Sequence, residues 1–121
     1  MRRDIDLIRK ILLEVEMQDT LSENLSLEIE GASKKEISYH VKLLAQAGYL
    51  EANNNSTRDS PDEWNPICLT WQGHEFLDAA RDNTIWNKTK VRIGEKLPSI
   101  TFDVLKSMLI VTLKQQFGLE I

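Results

Sequence analysis

Apolar residues recur along this chain with two different periods, and the switches between them mark out its elements. Between Arg3 and Met17, Ile5, Ile8, Leu12 and Val15 form a stripe that Leu7 and Ile11 widen. That spacing predicts an amphipathic first helix. Asp4 and Asp6 stand near its start, where negative charge suits the helix dipole, and Asp6 is placed to pair with Lys10 one turn on. Gln18–Asn24 is polar and reads as a connector. Leu25, Leu27 and Ile29 then alternate with Ser26, Glu28 and Glu30, a period of two that predicts a short strand. Ser33 is a natural N-cap for a helix running to Ala47, with Ile37, Val41, Leu44 and Leu43 on one face. Gly48 supplies the left-handed residue that ends it. Tyr49–Ala52 and Ile67–Leu69 read as two strands joined by the polar stretch Asn53–Pro66, whose composition predicts a loop. With Leu25–Ile29 they are expected to form a three-stranded antiparallel sheet.

The second half of the chain is helical by the same criteria. Thr70 caps a helix over Trp71–Asp82, with Phe76, Leu77 and Ala80 facing inward. Thr84–Lys96 predicts a basic helix, Pro98 breaks the chain, and Thr101 caps a final helix over Phe102–Phe117. In that last helix Phe102, Leu105, Leu109 and Leu113 make one apolar stripe, and Val104, Met108 and Val111, with Ile110, make a second. One stripe is enough to dock on the first helix. The second predicts a homodimer interface through Val104, Met108 and Val111.

Composition changes this picture little. The 121 residues suffice for one domain with a real core. No apolar run approaches the roughly 18 residues that a membrane span needs, and the opening Met-Arg-Arg-Asp leads into a helix rather than a secretion signal. The one cysteine, Cys68, has no partner for an internal disulfide and sits in an apolar run, so a cytoplasmic protein is expected.

Charge matters more. The net charge is −4, which runs against a basic nucleic-acid footprint. Its distribution is uneven. Lys34, Lys35 and Lys42 against Glu36 give the second helix a local +2, and Lys88, Lys90, Arg92 and Lys96 against Glu95 give the later one a local +3. The acids gather at Glu23, Glu28 and Glu30, and at Asp59, Asp62 and Glu63.

The face of the second helix opposite its apolar stripe carries Lys34, Lys35, Ser38, Tyr39, Lys42 and Gln46. With Ser33 at its start, this face is the candidate surface for double-stranded DNA. Lysines would reach phosphates, and Ser38 and Tyr39 would reach base edges. The same lysines also serve simply as a solvated face, and Tyr39 also reads as a flank of the core. The helix has no arginine, the residue of the commonest guanine contact. Arg58, in the polar loop, is placed to enter a minor groove, with Asp59, Asp62 and Glu63 beside it. That acidic loop and Trp64 form the alternative, a surface for a protein partner. Trp71 and Trp86 read as core. His40 and His74 read as packed or capping side chains, and their separation gives no zinc spacing. No nucleophile triad, carboxylate pair or glycine-rich phosphate loop occurs, so neither enzyme activity, nor a metal, nor a cofactor is expected.

Two segments resemble bacterial winged-helix transcriptional regulators of the MarR-like and arsenic-repressor-like kind. One is SKKEISYHVKLLAQAGYL, similar to the recognition helix with its Ala-Gly exit. The other is Leu69-Thr70-Trp71-Gln72-Gly73-His74-Glu75-Phe76-Leu77, similar to the Leu-Thr-x-x-Gly-x-x-x-Leu that leads from wing to following helix. The chain as a whole also resembles a small phage- and prophage-associated family without established function, through MRRDIDLIRKILLEVE, EISYHVKLLAQAGYLEA and LTWQGHEFLDAARDNTIWNKTK. The resemblance implies an α+β winged-helix domain spanning 1–121, with a core over 1–83 and a helical extension over 84–121. It implies a DNA-binding regulator or, alternatively, a winged-helix module that binds protein and not DNA. One departure stands out. Where the family has a short helix before the recognition helix, this chain has Asn24–Gly31 with its strand-like alternation.

Overall fold

The computed structural model describes residues 1–18 and 23–118. Among them the chain is a mixed α+β protein. It has five α-helices, α1 (Ile5–Gln18), α2 (Lys34–Gln46), α3 (Trp71–Ala80), α4 (Asn83–Ile93) and α5 (Phe102–Gln116), and two strands, β1 (Leu50–Asn54) and β2 (Trp64–Leu69). A 3-10 helix over Gly94–Ser99 joins α4 to α5 and contains Pro98. The elements group into two compact units, Met1–Glu75 and Phe76–Ile121.

In the first unit α1 buries Leu7, Ile8, Ile11, Leu12 and Val15, the residues its periodicity marks, and packs against α2 and β2. Asp4 starts it, its Oδ1 accepting from the N–H groups of Asp6 (3.0 Å) and Leu7 (3.2 Å). α2 starts on a complete capping box. Ser33 Oγ accepts from the Glu36 N–H, and the Glu36 carboxylate accepts from the Ser33 N–H, each at 3.1 Å. Ile37, Val41 and Leu44 are buried, whereas Leu43 is only half-buried and the fully covered His40 takes its place.

His40 ties the two helices together. Its Nε2 accepts from the Asp4 N–H (2.9 Å) and its Nδ1 lies 2.7 Å from the Glu36 carbonyl. Because Nε2 must accept, the ring is neutral with its proton on Nδ1, which donates to Glu36. The packed or capping role read for this histidine is therefore the one it has.

β1 and β2 form a two-stranded antiparallel hairpin, with Leu50 opposite Leu69, Asn54 opposite Trp64, and an irregularity between Glu51 and Ala52. The strands extend into the stretch read as loop. The tip beyond them is held by its own hydrogen bonds. Asn55 N–H donates to the Glu63 carbonyl (2.6 Å), Thr57 N–H to the Ser60 carbonyl (2.9 Å), and Glu63 N–H to Ser56 Oγ (2.9 Å). Polar side chains and local turns thus satisfy a backbone whose composition alone predicts an open loop.

Leu25–Ile29 is not a strand among the described residues, and the expected third strand is absent from the sheet. Its alternation is real, since Leu25 and Leu27 are buried while Ser26 and Glu28 are exposed. Pairing begins with the Leu25 N–H donating to the Pro66 carbonyl (2.8 Å). It goes no further: Pro66 has no N–H to return, and the Ser38 hydroxyl accepts from the Trp64 N–H (2.8 Å) and donates to the Asp62 carbonyl just before β2.

The turn from α2 into β1 and from β2 into α3 is locked around Gly48, Tyr49 and Gly73. Gly48 has φ +84°. Thr70 Oγ1 donates to the Gly48 carbonyl (2.6 Å) and accepts from the Gly73 N–H (3.1 Å), so Thr70 caps α3 as its position predicts. A Cβ on Gly73 would lie 1.9 Å from the Tyr49 carbonyl oxygen. This close approach is the physical content of the Leu-Thr-x-x-Gly segment. Trp71, read as core, is instead 79% exposed at the start of α3.

The second unit is built on α4 against α5. Asp82 caps α4 by accepting from the Ile85 N–H (3.0 Å), and Thr101 caps α5 by accepting from the Val104 N–H (3.3 Å). Ile85, Trp86 and Thr89 of α4 and Leu105, Leu109 and Thr112 of α5 are buried. The two threonines meet in this core with their hydroxyls 3.1 Å apart. Thr112 donates back to the Met108 carbonyl (2.9 Å), and the single Thr89 proton faces both the Ile85 carbonyl (2.7 Å) and Thr112 Oγ1. Phe76 and Phe102 stack with ring centroids 4.5 Å apart. On α5, Val104 and Ile110 are exposed, and Met108 and Val111 are half-buried.

Candidate nucleic-acid interface

The surface of α2 is set by which of its faces the core takes. Ile37, His40, Val41 and Leu44 point inward. Directly opposite, at spacings of four, three and four residues, stand Lys35, Tyr39, Lys42 and Gln46. Lys35 and Gln46 are exposed, and Tyr39 and Lys42 are half-buried along their stems. Lys34 is exposed beside them. The stripe carries two cations, a phenol and an amide, and no carboxylate. Tyr39 is steadied by an edge contact with the His40 ring, centroids 5.8 Å apart.

The remaining residues marked as DNA contacts lie elsewhere. Ser33 is occupied by the capping box. Ser38 is 7% exposed and turned to the hairpin, where its hydroxyl bridges Asp62 and Trp64. Arg58 is exposed at the hairpin tip, in the turn closed by Thr57 and Ser60, with exposed Asp59, Asp62 and Glu63 following. Asp62 has φ +64°, a left-handed conformation that Asp tolerates better than most residues, and it aims its carbonyl at Ser38. The hairpin is thus fastened to α2 on one flank of the lysine stripe, and its acids border that flank.

The Ser33 backbone and side-chain hydrogen bonds hold the Glu36 carboxyl below its ordinary pKa. Partial burial, with the hydrogen bond to Glu51 (3.3 Å), raises the Cys68 thiol, which favours its protonated form at neutral pH. His74 lies 3.8 Å from Glu16 on the surface. On α4, Lys88 and Arg92 reach Gln116 (3.5 Å) and Gln115 (2.6 Å) of α5, which fixes part of the second basic patch in place.

Two details are absent from the local sequence pattern, the partner of His40 and the exposure of Trp71. The role of His40 depends on Asp4, 36 residues away, and no local pattern signals it. The exposure of Trp71 follows from Gly73, because the face that approaches Tyr49 is the one without a side chain.

Among the described residues no helix is long and apolar enough to cross a membrane. No solved structure matches the chain. It is similar to a protein of Haemophilus influenzae titled "Uncharacterized protein", 40% identical over 111 residues that span 89% of this chain and 92% of that protein. Residues 2–98, which run from the start of the first unit through α4, match the family described as "Hypothetical protein (DUF2513)", and the chain belongs to that family.

Proposed function

We propose that this protein is a cytoplasmic, non-catalytic DNA-binding regulator of phage or prophage origin, a winged helix in which α2 is the recognition helix and the β1–β2 hairpin is the wing. The observation that carries the reading is the stripe Lys35–Tyr39–Lys42–Gln46, with Lys34 beside it, on the face of α2 opposite the core. Lysines there would neutralise phosphates while Tyr39 and Gln46 meet base edges. Ser38 drops out as a base reader, since its hydroxyl is already committed. Few cations and no arginine make for weak, salt-sensitive binding. A homodimer through Val104, Met108 and Val111 would present two recognition helices to adjacent half-sites.

Fluorescence anisotropy with a random-sequence duplex pool, at low and moderate salt, tests this. Binding is expected at low salt. Lys35→Ala with Lys42→Ala should weaken it for every sequence and reduce the salt slope by about one unit for each phosphate left without its lysine. Absence of binding to any duplex at low salt would refute the proposal. The second reading is a winged-helix module that binds a protein partner. What favours it is the cluster of exposed Asp59, Asp62 and Glu63 on a hairpin held rigidly by Ser38, because acids on a wing repel phosphate and attract basic protein surfaces.

A further inference from the structure

Where the hairpin meets the start of α2, the first unit holds a groove of about 320 Å³. It exists because the segment at Leu25 leaves β2 after a single hydrogen bond, to Pro66. Leu25 and Leu27, both buried, and the half-buried Trp64 supply the apolar part of its floor, beside the polar Ser26, Ser38 and Asn65. Its sides carry opposite charges, Lys34 and Lys35 from α2 and Asp62 and Glu63 from the hairpin. Among the described residues these four side chains form no ion pair, with one another or with any other group. Two cations and two carboxylates therefore border this floor and leave space between them.

The groove also limits what can enter. Its volume is at the small end of ligand pockets, which run from about 300 to 1,000 Å³. An extended peptide finds few partners on the hairpin side, because Ser38 holds the Trp64 N–H and the Asp62 carbonyl, Leu25 holds the Pro66 carbonyl, and Pro66 has no N–H. A ligand of one sign would be drawn to one side and repelled by the other. We propose that the groove binds a small zwitterion with an apolar body, a free α-amino acid with an aromatic or branched aliphatic side chain. Its carboxylate lies toward Lys34 and Lys35, its ammonium toward Asp62 and Glu63, and its side chain on Leu25, Leu27 and Trp64.

Titration of the full, 15N-labelled chain by two-dimensional amide NMR tests this, with L-phenylalanine, phenylacetate and phenethylamine as probes. L-Phenylalanine is expected to shift the amides of Leu25, Leu27 and Trp64. Phenylacetate and phenethylamine, each with one charge only, should bind about tenfold more weakly or worse, the ratio that removing one charge-assisted hydrogen bond gives. Lys34→Met with Lys35→Met, and separately Asp62→Asn with Glu63→Gln, should each weaken L-phenylalanine by a similar factor, while Lys114→Met on α5 should not. No shifts at millimolar L-phenylalanine, or equal binding of the three probes to the unmodified protein, would overturn the proposal. So would unchanged binding in both folded double variants. The assay contains no DNA, so its failure removes this site alone, and failure of duplex binding leaves it standing.

Discussion

Gly73→Ala is the sharpest test of how the first unit is built. In an exposed helix this change stabilises, because Ala loses less backbone entropy, by about 1 kcal/mol. Here the new methyl would stand 1.9 Å from the Tyr49 carbonyl oxygen and 3.1 Å from its carbon. The obstacle is backbone, so no rotamer change relieves it. Tyr49 is also pinned, its N–H donating to Leu44 (2.9 Å) and its carbonyl accepting from Thr70 (3.3 Å). The start of α3 must therefore retreat, straining the Thr70 bonds to Gly48 and Gly73. Overpacking of this kind costs about 1–3 kcal/mol or more, and one or two weakened hydrogen bonds add about 0.5–1.5 each. Subtracting the propensity gain leaves a net loss of about 0.5–5 kcal/mol. At about 4 °C per kcal/mol for a chain of this size, the melting temperature should fall by about 2–20 °C. Thermal unfolding followed by circular dichroism reads this, with Gln72→Ala, an exposed neighbour, expected to stay within about 0.5 kcal/mol of the parent. A Gly73→Ala protein as stable as the parent would refute the close approach.

Other expectations follow from single groups. Ser38→Ala removes the partner of the Trp64 N–H and should cost about 1–3 kcal/mol, with faster hydrogen exchange at the Trp64 amide as the specific readout. Ser33→Ala removes the α2 cap and should cost about 1 kcal/mol in urea unfolding. Glu36 is more acidic folded than unfolded, so its contribution is full above the ordinary carboxylate range and is lost as the pH falls through its lowered folded value. Glu36→Gln keeps the capping geometry without the titration, so the parent's stability relative to this variant should fall on acidification through that range. For the proposed dimer, Met108→Lys with Val111→Lys should give a folded monomer by light scattering, and a monomeric parent at tens of micromolar would sink the interface.

The helices were legible because each announces itself locally. The stripe of α1, the Ser33–Glu36 capping box, the Gly48 exit and the Thr70 and Thr101 caps all lie within a few residues of the backbone groups they govern. The hairpin was legible as a hairpin but not in its length. Asn, Ser and Thr side chains along Asn53–Ser60 satisfy backbone groups that composition alone leaves to solvent. The lysine stripe was readable from helical spacing. The sorting of Ser38 out of that stripe was not, because it depends on Asp62 and Trp64, 24 and 26 residues away.

Ser38 decides more of this unit than any other polar side chain. A period-two pattern at Leu25–Ile29 states which side chains are buried, and in that it is correct. It does not state who bonds to the edge of β2. The Trp64 N–H and the Asp62 carbonyl would be the partners of an added strand, and a hydroxyl from α2 reaches them first. One hydroxyl, acting as donor and acceptor at once, satisfies both groups without ordering several residues of backbone, each of which costs about 1–2 kcal/mol of conformational entropy. The same bond fastens the hairpin to α2 and takes Ser38 out of the candidate nucleic-acid contacts, which leaves Lys35, Tyr39, Lys42 and Gln46. It also keeps Leu25–Leu27 off the β2 edge, which is what leaves the charged groove open. The missing strand, the fastened hairpin and the groove therefore share this bond as a cause, beside the absent N–H of Pro66, and the loss of Ser38 should disturb all three.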